Sequence, residues 1–288
     1  MISDQLPGVE RHPDSGLPMI EAAGAWRVLG CLPGTPALGA GADVWAAKNV
    51  LPPDKLRECN YHADWPVVNT DDQGATESCV GHVIESVFSY AWLQAGQSWK
   101  VFSPTFVYGI VNHGVDRGAN LTAAVTALKT FGLCEARYVP EGMIFRSQFP
   151  AAAFHNARRH RPSDCLLTRN YDQVLTALSI GFPLATGVLV GKNIGQLDDD
   201  GICPVPEAPV GGHAVTLVGL KYSPKWKDWL VLVHNSWGEK WGFRDATGQG
   251  GFAYLRRAHF EKCFFDTWAV GGVQSDPDDL SDDLPAAV

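Results

Sequence analysis

The sequence predicts an α+β protein, with helices in the first half of the chain and strands in the second. The best helical segment runs from about Cys79 to Ala95, where apolar residues repeat at every third or fourth position. After residue 180, short apolar segments alternate with Gly, Pro and Asp turns, which is typical of strands. Helices first and strands later predict two subdomains that meet at a cleft.

Three helices are expected. Ser78 is a plausible N-cap of the first helix and Gly96 a plausible end. The second helix follows Asn120 and ends at Gly132, and the third spans residues 172–180. Strands are predicted at residues 184–190, 213–220, 229–233, 251–255 and 267–270.

The length and composition allow one large domain with a sizeable core, since 45% of the 288 residues are hydrophobic. Residues 1–50 are rich in Gly, Pro and Ala, and are expected to form an N-terminal extension that packs on a domain. Residues 51–272 would form that domain, with a mainly helical half (51–168) and a mainly β half (169–272). Residues 273–288 are acidic and lack aromatic residues, which predicts a disordered tail.

The net charge is −8, and the sequence contains no block of Lys and Arg. Nucleic acid and anionic membranes are therefore not expected as partners. The first residues do not form a secretory signal, and no apolar stretch is long enough to span a membrane. These observations predict a cytoplasmic location.

The seven cysteines are an odd number, are widely spread and include no CxxC pair. This pattern favours free thiols in a reducing compartment over a disulfide framework. It also argues against a structural zinc site, whose ligands usually come in closely spaced pairs. We therefore expect no disulfide, no metal and no cofactor.

Cys79 stands at the start of the best predicted helix and ends the segment QGATESC at residues 73–79. A cysteine alone is more often a core residue, but a thiol at a helix N-terminus feels the positive end of the helix dipole, which favours the thiolate. Gln73, six residues earlier, could return its amide toward the thiolate. Together with the backbone N–H of Cys79, this amide could form an oxyanion hole.

Two further motifs lie near predicted strands. His213 begins one strand within GGHAV, and Asn235 follows another within NSWGEKWG. If the strands are neighbours, the Asn235 amide can hold the His213 imidazole so that its other nitrogen faces the thiolate. Trp237 would shield that hydrogen bond from water.

In the order and spacing of these three motifs, the chain resembles the papain-like cysteine peptidases. His213 and Asn235 follow Cys79 by 134 and 156 residues, which is similar to the spacing in papain and the cathepsins. The resemblance covers residues 51–270, is closer to bacterial or viral members, and implies a papain-like fold with the active site in the cleft between two subdomains.

The resemblance also implies a role for each of these residues: Cys79 as nucleophile, His213 as base, Asn235 as orienting amide and Gln73 as oxyanion donor. It implies a resting thiolate–imidazolium pair and a peptide or protein substrate. Further residues are expected in the cleft or in support of the site: Glu77, Ser78, Gly118, Ala119, Gly212, Ala214 and Trp237.

Glu77 replaces the family's usual glycine and is expected to oppose the thiolate, unless it points into solvent and only caps the helix.

Two other functions are consistent with these residues. A transferase would form the same thioester and deliver it to an amine instead of water. A catalytically idle relative would serve as a binding or structural protein, although such a protein would need none of the four residues Gln73, Cys79, His213 and Asn235.

Overall fold

The computed structural model describes residues 9–33, 50–64 and 71–273 of the chain. The tail predicted for residues 273–288 lies almost entirely outside the described residues, as does part of the extension predicted for residues 1–50. The N-terminal elements are β1 (Glu10–Arg11), β2 (Pro18–Ala22), β3 (Ala25–Val28) and β4 (Cys31–Leu32). Strands β1 to β3 form a small antiparallel sheet.

The helices come mainly from the first half of the chain. In order, and with the short strands between them, they are β5 (Cys59–Asn60), α1 (Tyr61–Asp64), α2 (Cys79–Gln94), α3 (Pro104–Val111), β6 (Ala119–Asn120), α4 (Leu121–Phe131), α5 (Ala151–Ala157), β7 (Asp164–Thr168) and α6 (Tyr171–Ser179). The three predicted helices are confirmed as α2, α4 and α6. Asn120 caps α4, because its side chain accepts from Ala123 N–H at 2.7 Å.

The second half supplies most of the strands: β8 (Leu184–Val190), β9 (Gly211–Ser223), β10 (Asp228–His234), β11 (Phe252–Leu255) and β12 (Phe264–Gly271), with α7 (Arg257–Cys263) before the last. All five predicted strands are confirmed. They form an antiparallel sheet in the order β11-β10-β9-β8-β12-β7, and β5 also pairs with β9. The fold class is therefore α+β, as predicted.

Helix α2 lies at the centre of the molecule and contacts α3, α4 and strand β9. Its apolar residues enter a core shared with α3 and α4, in which Phe88 packs on Phe102 with ring centroids 5.2 Å apart. A second core lies along the sheet, and Tyr90 of α2 reaches it. Every residue from Cys79 to Trp92 is buried, so both faces of the helix are covered.

In the part of the chain that the structure describes, no helix is both long enough and apolar enough to cross a membrane.

Candidate active site

Cys79 is the first residue of α2, and its side chain is fully buried. Ser78 occupies the N-cap position as predicted, although its side chain makes no capping hydrogen bond. Its hydroxyl lies 2.6 Å from Thr76 Oγ1 instead, and its backbone angles are not the extended ones of a typical N-cap residue. The thiol therefore lies beside N–H groups that have no intrahelical acceptor.

His213 and Asn235 meet because β9 and β10 are neighbouring antiparallel strands. His213 Nε2 donates to Asn235 Oδ1 at 2.7 Å, which leaves Nδ1 as the ring's other nitrogen, buried and without a hydrogen-bond partner. Trp237 stacks on the imidazole with ring centroids 4.3 Å apart. The structure thus brings these three predicted residues together in the arrangement that the sequence indicated.

Gln73 lies in a short extended segment that runs beside Ser236, since Gln73 N–H donates to Ser236 C=O at 2.9 Å. Its side-chain oxygen accepts from Ser236 Oγ at 2.8 Å, and its Nε2 donates to Thr76 C=O at 3.0 Å. An amide nitrogen carries two N–H groups. One N–H of the Gln73 side chain therefore remains available to an oxyanion, as its predicted role requires.

Burial disfavours the charged forms of both Cys79 and His213. Burial raises the pKa of Cys79 to about 12, although the backbone N–H groups of Ala214, Gly30 and Val80 oppose the shift. Burial lowers the pKa of His213 to about 4, against the opposing effect of Asn235. Desolvation thus opposes both charges of the expected thiolate–imidazolium pair.

Glu77 is fully buried, so the alternative in which it points into solvent is wrong. Its Oε1 lies 3.4 Å from His12 Nδ1, and its backbone N–H donates to Asp116 Oδ1 at 3.2 Å. Burial raises the pKa of Glu77, and the nearby Asp116 adds to the effect. The charge of Glu77 contributes to raising the pKa of Cys79, which is the direction that the sequence predicted.

The N-terminal residues 9–33, which we call the cover, reach Cys79 through Gly30, whose backbone hydrogen-bonds to the thiol. Ala119 N–H donates to Gly30 C=O at 2.9 Å, and β4 pairs with β6 in parallel. A Cβ added at Gly118 would lie 2.2 Å from the Gly30 oxygen, and one at Gly212 only 2.1 Å from the Cys31 oxygen. The cover therefore lies directly on Gly118, Ala119 and Gly212, which were predicted to lie in the cleft or to support the site.

Arg27 anchors the cover. This buried side chain of β3 forms a bidentate ion pair with Asp72, and its Nη2 also donates to Trp237 C=O at 3.2 Å. Partial burial would raise the pKa of Asp72, but the Arg27 guanidinium outweighs it and the net shift is downward. The cover is thus tied to the same loops that hold Gln73 and Asn235.

The sequence predicted that residues 1–50 pack on the domain, but not that residues 9–33 lie over Cys79 or that Arg27 anchors them. The signal was a single charged residue, Arg27, inside the only apolar piece of the first 50 residues. A second missed group comprises the buried polar residues on α2: His82, Glu85, Ser86 and Ser89.

Across residues 9–33, 50–64 and 71–273, no group of three or more His, Cys, Asp or Glu side chains is arranged to hold a metal ion.

No protein-family model matches the chain. Its sequence is 26% identical to an uncharacterized peptidase C1-like protein of Acanthamoeba polyphaga mimivirus, over 240 residues that cover 74% of each chain. Among solved structures it is similar to xylellain, a cysteine protease from Xylella fastidiosa, with a TM-score of 0.67, 19% identity and coverage of 89% of this chain and 98% of xylellain.

It is also similar to procathepsin L2 from Tenebrio molitor larval midgut, with a TM-score of 0.65, 16% identity and coverage of 85% and 78%. For procathepsin B S9 from Trypanosoma congolense the TM-score is 0.63, the identity 14% and the coverage 85% and 86%. The chain thus has the fold of the papain-like cysteine peptidases, and its sequence resembles theirs.

Proposed function

We propose that the chain is a cysteine peptidase that hydrolyses peptide bonds through a thioester on Cys79. The observation that carries this proposal is the 2.7 Å hydrogen bond from His213 Nε2 to Asn235 Oδ1. It fixes the imidazole with Nδ1 unpartnered, in the core that also encloses the thiol at the start of α2. A histidine held in this way can act as a general base toward a neighbouring nucleophile.

In the acylation step, His213 Nδ1 accepts the proton of the Cys79 thiol while the sulfur attacks the carbonyl carbon of the peptide bond. The oxyanion that forms accepts hydrogen bonds from the Cys79 backbone N–H and from the remaining Gln73 Nε2–H. His213 then returns its proton to the departing amine nitrogen as the C–N bond breaks. The product is a thioester between Cys79 and the acyl half of the substrate.

In the second step, His213 removes a proton from a water molecule, which attacks the thioester and releases the acid and the free thiol. Asn235 keeps the ring in one orientation throughout, because its Oδ1 also accepts from Ser236 N–H at 2.8 Å and is therefore itself fixed. Both steps use groups of this chain and one water molecule.

A substrate can reach Cys79 only after the cover has left the groove, since the thiol is fully buried and Gly30 and Cys31 lie on Gly118 and Gly212. The structure described here is therefore proposed to be a latent form. Displacing the cover would rehydrate the thiol and imidazole, which removes the main cause of their pKa shifts.

The test is covalent labelling with a peptide-epoxide inhibitor, followed by mass spectrometry to locate the added mass. It should be run on the full chain and on Arg27→Gln, which weakens the anchor of the cover. We expect labelling confined to Cys79 and stronger in the variant. Labelling spread over other cysteines, or none in either protein, would overturn the proposal.

The complete burial of Cys79 is also what a catalytically idle binding protein would show, and it makes this the second candidate function. The same experiment separates the two, because an idle relative would leave Cys79 unlabelled even when the cover is weakened. Product analysis with an added amine separates hydrolysis from acyl transfer, since a transferase would release an amide instead of an acid.

A further inference from the structure

A small cavity lies on the side of Asn235 that faces away from His213. It is enclosed between α2 and the ends of β9 and β10, and its described lining includes Asp71, His82, Thr216 and Asn235. Its volume is about 10 Å³, which is roughly the space that one water molecule needs.

Three polar atoms of this lining are buried and have no hydrogen-bond partner: His82 Nε2, Thr216 Oγ1 and Asn235 Nδ2. The three side chains are at most 2% exposed. Buried polar groups in proteins are nearly always satisfied by protein or by water, and polar cavities of this size hold water where two to four partners are present.

The direction of each hydrogen bond follows from the neighbours. Asn235 Oδ1 accepts from both His213 and Ser236, so the amide NH₂ must point into the cavity as a donor. His82 Nδ1 lies 3.2 Å from Asp71 Oδ2, and a carboxylate accepts, so Nδ1 carries the proton. With its proton on Nδ1, the His82 ring presents Nε2 to the cavity as an acceptor.

Asp71 is in turn held by a side chain of α2. Burial, and after it the charge of Asp71, raise the pKa of Glu85, whose carboxyl group also hydrogen-bonds to Asp71. Ser89 Oγ donates to the other side of Glu85 at 2.7 Å. Ser89 and Glu85 of α2 thus hold Asp71, and Asp71 fixes the orientation of the His82 ring.

We propose that a water molecule in this cavity accepts from Asn235 Nδ2 and donates to His82 Nε2 and Thr216 Oγ1, which makes His82 a positioning residue for the Asn235–His213 pair. The water satisfies all three unpartnered atoms with one acceptor and two donor bonds. It holds the Asn235 amide plane from the side opposite to His213. The structural part of this inference is independent of the proposed peptidase function, whereas its effect on turnover rests on that function.

The first test needs no activity. A crystal structure of the full chain at a resolution that shows ordered water should contain one water within hydrogen-bonding distance of both Asn235 Nδ2 and His82 Nε2. Nitrogen-15 NMR of the imidazoles should show His82 as the Nδ1–H tautomer. A dry cavity, or a proton on His82 Nε2, would overturn the proposal whether or not the protein cleaves peptides.

The second test uses kinetics in the full chain, or in the Arg27→Gln background if only that cleaves peptides. His82→Leu should lower kcat up to about 100-fold with little change in KM, because it loosens a group that aligns the base. His82→Gln, which keeps an acceptor, should recover part of the loss. The matched control is His160→Leu, since His160 is also buried but bonds to Leu133 C=O away from the site.

The decisive comparison is the double variant. If His82 acts through Asn235, His82→Leu should have little further effect on kcat once Asn235→Ala is present. Equal losses in the two backgrounds, or a loss as large in His160→Leu, would show that His82 contributes only to folding. If the wild-type protein neither cleaves peptides nor labels at Cys79, the proposed function fails while the structural test still decides the water site.

Discussion

The two sides of the His213–Asn235 pair are built in different ways. On the front, the cover contacts the site through backbone atoms, through the Arg27–Asp72 pair, in which the Asp72 side chain is 51% exposed, and through His12 beside Glu77. On the back, buried side chains of α2 face Asn235 across a small cavity. The cover also contributes Leu29 and Cys31 to the two cores of the molecule. Under the proposed function, the front would control access to the site and the back its alignment.

The largest effect should come from replacing Cys79, the proposed nucleophile. Cys79→Ala should lower peptide hydrolysis by about 10⁴-fold or more, because no other group can form the thioester. The thermal unfolding midpoint should change little, since alanine fills most of the thiol's space. Cys31→Ala is the matched control, because Cys31 is a buried thiol of the cover and takes no part in the proposed chemistry. Retained hydrolysis in Cys79→Ala would end the assignment.

The back of the site can be broken at Asn235. Asn235→Ala should lower kcat by roughly 100-fold and leave KM nearly unchanged, since a misaligned imidazole still accepts the proton occasionally. Asn156→Ala is the control, because Asn156 is a buried amide that bonds to Glu135 N–H at 2.8 Å outside the site. Equal kinetic losses in both variants would assign the effect to folding.

The front can be broken at Arg27. Arg27→Gln removes an ion pair that is buried on one side only, so we expect a loss of about 1–2 kcal/mol in cover closure. Alkylation of Cys79 at fixed pH should then be roughly 5- to 30-fold faster. Arg257→Gln, which breaks the ion pairs to Asp172 and Asp228 far from the cleft, should leave the rate unchanged.

The pH dependence of the same reaction gives a second readout. A raised pKa means that the Cys79 thiol stays protonated at neutral pH in the covered form, where its pKa is about 12. The alkylation rate of the full chain should therefore keep rising as the pH increases through the alkaline range. In Arg27→Gln the rate should level off at a lower pH, and superimposable profiles would contradict control by the cover.

Much of the fold could be predicted because its signals are local. Helix α2 shows the 3.6-residue period, and β8 is bounded by turn residues, so both were placed to within a residue of their ends. The motif residues Cys79, His213 and Asn235 were found for a similar reason, since each stands at the end or start of such an element.

The position of the cover over Cys79 and the burial of the polar face of α2 could not be predicted, because both depend on long-range contacts. Strand β4 has only two residues and depends on its pairing with β6. His82 and Glu85 have the spacing of a solvated helix face, and only the sheet that covers them makes them buried. Local periodicity contains no information about such partners.

The smallest effect should come from replacing Glu77, which lies two residues before Cys79 and contacts the cover at His12. For charges about 7 Å apart in an effective dielectric between 20 and 80, the ionised carboxylate should raise the pKa of Cys79 by roughly 0.4 to 1.7 units. Glu77→Gln should lower the pKa of Cys79 by that amount, because it keeps the shape and removes the charge. The measurement is the pH profile of Cys79 alkylation in the Arg27→Gln background, where the cover no longer dominates.

The raised pKa of Glu77 itself fixes where the difference should be seen. Below that pKa the carboxyl is neutral and the two proteins should react alike; above it the variant should hold more thiolate and react faster. Glu141→Gln serves as control, because it removes the same charge at an exposed position outside the cleft. If Glu77→Gln and Glu141→Gln give the same profile at every pH, Glu77 does not tune the nucleophile and serves only to hold the cover near His12.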